Sequence, residues 1–99
     1  MPNNLPNIWD SPLPNFHWIT LHRINRERNE YRFYQVRWAP TLFDDGAIIR
    51  IFGRINGGHR MLSPLPYPSI EDAWSMICQQ IHKRLKHGYQ ITGLSVGWQ

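Results

Sequence analysis

Arg50, Phe52 and Arg54 are the residues here whose types and spacing point most directly to chemistry. They lie in Ala47–Ile55, a run rich in β-branched residues without proline, which reads as a strand. Strand side chains alternate between faces, so Arg50, Phe52 and Arg54 share one face with Ile48. Two guanidinium forks then flank an aromatic plane. Such forks match phosphate oxygens, and an aromatic plane stacks on a sugar or base. The same pattern also serves packing, with Phe52 filling a small second core and the arginines fringing it. Both readings stand at this level. Ile49, Ile51 and Ile55 occupy the other face, with Gly53 between them, and that isoleucine face is expected against the core.

Other reactive side chains form no recognisable constellation. His17, His22, His59, His82 and His87 are scattered, each reading first as a surface or packing residue. Cys78 and His82 stand four apart on one expected helix face, so a transition-metal pair is geometrically possible if other ligands join. Glu71-Asp72 is accounted for by helix capping and Asp44-Asp45 by a turn. No nucleophile–base pair, Gly-rich phosphate loop or metal signature is present. The expectation is a binding module, not an enzyme, with no cofactor and no metal.

Composition agrees with a small globular domain. The 99 residues are 41% hydrophobic and 13% aromatic, with five tryptophans, enough for one modest core. A single cysteine, Cys78, excludes an internal disulfide and a multi-cysteine zinc site; it reads as a structural thiol. The formal charge is +4, and the eleven cations are mostly arginine, which favours anionic partners such as nucleic acid. No apolar run reaches membrane-spanning length, and the N-terminal stretch lacks the apolar core of a signal peptide. A cytoplasmic protein without a membrane partner is expected.

The elements that must hold these residues follow in order. Residues 1–15 read as a Pro/Asn-rich arm, because Pro2, Pro6, Pro12 and Pro14 forbid a helix and sit poorly in a sheet; Ile8, Trp9 and Leu13 could still dock. Residues 16–99 read as the folded domain. Phe16 to about Asn25 and Tyr31 to Ala39 are expected strands, joined by the polar stretch 26–30 and therefore antiparallel. Asp44-Asp45-Gly46 is a turn signal, with Leu42-Phe43 expected to anchor it. Asn56-Gly57-Gly58 ends the third strand. His59-Arg60-Met61-Leu62 is a possible fourth strand, and 63–68, with three prolines, a rigid loop.

Ser69 is an N-cap, with Glu71 and Asp72 complementing the helix start. Ile70, Ala73, Trp74, Ile77, Ile81 and Leu85 form its core stripe. Lys83, Arg84, Lys86 and His87 crowd the last turn and Gly88 terminates it. The basic residues either complement the helix dipole or extend a cationic surface. Tyr89 to Val96 is a last extended segment. The fold class is α+β: an antiparallel sheet of four to five strands with one long helix packed on it.

Phe52-Gly53-Arg54-Ile55 and the glycine-containing turn after it resemble the signature of the WGR domain family, named for Trp-Gly-Arg. Arg32-Phe33-Tyr34-Gln35-Val36 resembles the family's preceding strand. Ser69, Glu71 and Ala73 resemble the start of its helix, and Ile77, Ile81, Arg84, Gly88 and Tyr89 the series that closes it. The similarity spans roughly Phe16 to Val96, as in a free-standing, bacterial-type WGR protein. Phe52 replaces the eponymous Trp, and Asn56 stands where a Gly is usual. The resemblance implies an antiparallel sheet with a packed helix and no ADP-ribosylation activity by itself. In multidomain poly(ADP-ribose) polymerases such domains bind DNA near a strand break, the Trp packing on a sugar and the Arg bridging to neighbouring domains. It therefore implies Phe52 as stacking plane and Arg54 as bridging cation.

The expected function is nucleic-acid binding, to DNA rather than RNA and largely independent of sequence. Arg50, Phe52, Gly53, Arg54, Arg60, Arg84 and Lys86 are its candidate residues. The alternative is a protein-interaction module or homodimer, with Trp9 and Trp98 as candidate anchors.

Overall fold

The computed structural model describes residues 10–43 and 45–97. Trp9, Trp98, Ile8 and Asp44, each named above, lie outside them. The strands are β1 (Phe16–Asn25), β2 (Glu30–Pro40), β3 (Gly46–Arg54), β4 (His59–Met61), β5 (Leu65–Tyr67) and β6 (Gln90–Val96), with helix α1 (Ile70–Lys86) between β5 and β6. The sheet order is β4-β3-β2-β1-β6, with β5 also paired to β3, and all pairings are antiparallel. No helix among the described residues is long and apolar enough to cross a membrane.

The strand pattern sets one face inward. Ile19 and Leu21 of β1, Tyr34, Val36 and Trp38 of β2 and Ile48 of β3 are buried together with Ala73, Trp74, Ile77 and Ile81 of α1. Phe16 meets Trp74 edge-on at 5.2 Å, and the Tyr34 hydroxyl donates to Gln80 Oε1 at 3.1 Å. These contacts seat the helix across β1–β3. Its start is capped as the sequence predicts: Ser69 Oγ accepts the Asp72 N–H at 3.2 Å. Gly88 follows its end at φ 87, a conformation that glycine adopts without a Cβ penalty. Leu13 of the arm packs on the same core.

Three expectations are corrected. First, the isoleucine face of β3 is not the core face. Ile49 and Ile51 are half-buried on the side away from the helix, whereas Ile48 is buried and Phe52 packs at the margin of the core. The helix is drawn to the side where β1 and β2 put Ile19, Leu21, Tyr34 and Val36. Second, the sheet has six strands among the described residues, because the proline-rich loop contributes β5. Pro66 sits opposite Ala47 on an edge strand, where a missing N–H is tolerated. Third, the Leu42 and Phe43 side chains do not pack down as anchors among the described residues; they are 95% and 85% exposed. Polar bonds close that turn instead: Thr41 N–H donates to the Asp45 carbonyl at 2.8 Å, and Thr41 Oγ1 bonds Asp45 Oδ1.

Candidate nucleic-acid interface

Cross-strand register assembles the site. Phe52 stands opposite Tyr34 on one side and Arg60 on the other. Arg50 and Arg54 flank it along β3, and Arg32 stands opposite Arg54 on β2. Arg23 completes that row on β1. The half-buried phenyl group is therefore ringed by arginines on the helix side of the sheet, beyond the C-terminal end of α1. A surface depression of about 530 Å³ opens there, with Arg28, Arg32, Phe52, Gly53, Arg54 and Tyr89 in its lining.

Each guanidinium has its own support. Arg54 donates to the Asn29 carbonyl at 3.0 Å and to Asn29 Oδ1 at 3.2 Å, and lies 5.1 Å from the centre of the Tyr31 ring. Asn29 presents these oxygens from a left-handed backbone at φ 56, which asparagine tolerates in a turn. Arg84 lies 4.1 Å from the Tyr34 ring centre, a cation–π contact from helix to sheet. Arg50 turns aside: its Nη2 donates to the Ser63 carbonyl at 3.3 Å, pinning the link between β4 and β5. The Nε groups of Arg50 and Arg84 are buried and find no hydrogen-bond partner among the described residues.

The cluster is incompletely neutralised. Glu30 pairs with Arg23 at 3.8 Å and Arg32 at 3.6 Å, both too long for direct hydrogen bonds. Among the described residues Arg54 and Arg60 have no carboxylate partner, and both are exposed.

The structure thus brings Phe52, Gly53, Arg54 and Arg60 together, with Arg84 adjacent through Tyr34. Arg50 shares the face but serves the chain's own geometry. Lys86 is exposed at the helix end without a contact to this cluster. Gly53 is a positioning residue: a Cβ there would lie 2.2 Å from the Gly58 carbonyl oxygen and 2.7 Å from His59 Cα. Asn29 and Tyr31 carry no site expectation from sequence, and Arg32 and Tyr89 stand out there only as parts of the family resemblance. The charged turn 26–30 carried the only local hint, and its partnership with β3 is a long-range contact.

No group of three or more His, Cys, Asp or Glu among the described residues could hold a metal ion. Cys78 packs beside the core, and burial, followed by the nearby Asp10 charge, raises its thiol to about 11. It is a poor nucleophile at neutral pH.

Residues 18–94 match the family model described as the WGR domain. No curated protein and no solved structure gives a significant match.

Proposed function

The chain belongs to the WGR domain family, and we propose that it is a non-enzymatic nucleic-acid-binding module whose contact surface is the arginine-ringed Phe52 face. Duplex DNA is the proposed ligand, bound through its backbone and largely without regard to sequence. The family is associated with nucleic-acid binding in proteins related to poly(ADP-ribose) polymerases. The observation that carries the reading is the juxtaposition of half-buried Phe52 with exposed Arg54 and Arg60, neither paired with a carboxylate among the described residues. Arg54 and Arg60 supply forks for phosphate oxygens, while the Phe52 ring offers a plane at the depression's edge. Phe lacks the indole N–H of the family's Trp and offers less surface, so stacking is weaker than a Trp would give.

Fluorescence anisotropy with labelled 5′-phosphorylated duplexes tests this. Binding should weaken steeply with salt, with a log–log slope of about −3 for three or four phosphate contacts. No binding at low salt would refute it.

A further inference from the structure

The opposite face of the sheet carries an apolar patch among its polar residues. A one-sided antiparallel sheet ordinarily alternates apolar-in with polar-out. Here the outward rows read Ser95–Trp18–Arg37–Ile49, Gly93–Thr20–Gln35–Ile51–Met61 and Gln90–His22–Phe33–Gly53–His59. Among the described residues no helix or loop covers them, since α1 lies on the other side. Trp18, Arg37, Ile49, Ile51 and Met61 line a shallow depression of about 460 Å³.

Three polar side chains in the middle of this face, Thr20, Gln35 and Arg37, bond one another. Gln35 Nε2 donates to Thr20 Oγ1 at 2.8 Å. Arg37 Nε donates to Gln35 Oε1, and its guanidinium lies 5.2 Å from the Trp18 ring centre. Covering this network leaves these bonds intact, and the remaining Arg37 donors need a ring face or the wet rim of a partner surface. These rows carry no carboxylate and one permanent cation, Arg37. One cation does not hold a polyanion, which needs several phosphate contacts; the rows suit an apolar partner.

We propose that this open face is the docking surface for a second copy of the chain, giving a face-to-face dimer. Two such sheets pack about 10 Å apart with strands within about 30° of alignment. A two-fold axis lying between the sheets and across the strands sets the Trp18–Arg37 row of each copy against the His22–Phe33 row of the other. Each Arg37 then finds an aromatic ring, and the two cations stay apart. Four strands and the five residues these rows span give a footprint of roughly 20 by 17 Å. That area is below the roughly 800 Å² per partner of a standard interface and in the range of a weak, concentration-dependent dimer. The two Phe52 faces point away from each other in this dimer, so self-association and nucleic-acid binding are separately measurable.

Sedimentation equilibrium of the full chain, from low micromolar to a few hundred micromolar, decides the matter. The wild type should pass from monomer to dimer mass. Ile51→Arg and Met61→Glu should each raise the dissociation constant at least about tenfold while far-UV circular dichroism is unchanged. Met61 is 60% exposed in the monomer, so Met61→Glu decides even if Ile51→Arg unfolds. A wild type that stays monomeric throughout overturns the proposal, as does a dimer that Met61→Glu leaves intact, such as one formed through the exposed Leu42–Phe43 tip. A monomer binding single-stranded oligonucleotides in a way that Met61→Glu abolishes would assign the face to nucleic acid and likewise overturn it.

Discussion

The Arg54 guanidinium lies 5.1 Å from the centre of the Tyr31 ring while donating to two oxygens of Asn29. Two of its five donors are thereby used to fix its plane, and three are left for a ligand. Arg54→Gln should lower duplex affinity several-fold and reduce the salt slope by about one. Arg54→Lys keeps the charge and loses the fork, so it should weaken binding with the slope nearly unchanged. Anisotropy titrations across a salt series separate the two.

Phe52 is both packed and presented. Phe52→Leu roughly conserves packing and removes the plane. Unfolding free energy should fall by less than about 1.5 kcal/mol, whereas affinity should fall by about 1–3 kcal/mol if the ring stacks. Equal binding by Phe52→Leu and wild type would reduce the ring to a packing residue.

Gly53 owes its identity to the β3–β4 ladder. Gly53→Ala should cost about 2–4 kcal/mol in urea unfolding, because the obstructing atoms are backbone. Gly58→Ala, with open space around the added Cβ, should stay within about 0.5 kcal/mol. Matching losses at the two positions would contradict the close-approach explanation.

Much of the fold is legible in the sequence because its signals are local. Ser69, Glu71 and Asp72 mark the helix start, Gly88 its end, and alternation places Arg50, Phe52 and Arg54 on one face. Alternation yields two faces but not which of them the helix covers. The three isoleucines of 49–55 suggest the wrong side, since the decision rests on Ile19, Leu21, Tyr34 and Val36 in other strands. Pro64, Pro66 and Pro68 hide β5, whose pairing needs only an edge position. The contact of Arg54 with Asn29 and Tyr31 joins segments more than twenty residues apart, and no spacing rule reaches that far.

Cys78 supplies a pH-dependent check on the core. Burial, and then Asp10, raise its thiol from 9.0 to about 11. The unfolded chain therefore loses this proton at lower pH than the folded one. Stability should be unaffected below about pH 8 and should decline from about pH 9 to 11. Cys78→Ala should flatten that part of the profile. Maleimide labelling of the native protein at neutral pH should be slower than that of the urea-unfolded chain; equal rates would contradict a half-buried thiol raised above its ordinary range.

Arg60 and Arg37 offer the most direct test, because they lie on opposite faces of one sheet. Arg60→Glu and Arg37→Glu change net charge identically. Titrated against a 5′-phosphorylated duplex at nanomolar protein over a range of salt, Arg60→Glu should bind at least about tenfold more weakly, with a shallower salt slope. Arg37→Glu should stay within about threefold of wild type. Equal losses from both substitutions, or a larger loss from Arg37→Glu, would show that the Phe52 face is not where nucleic acid binds.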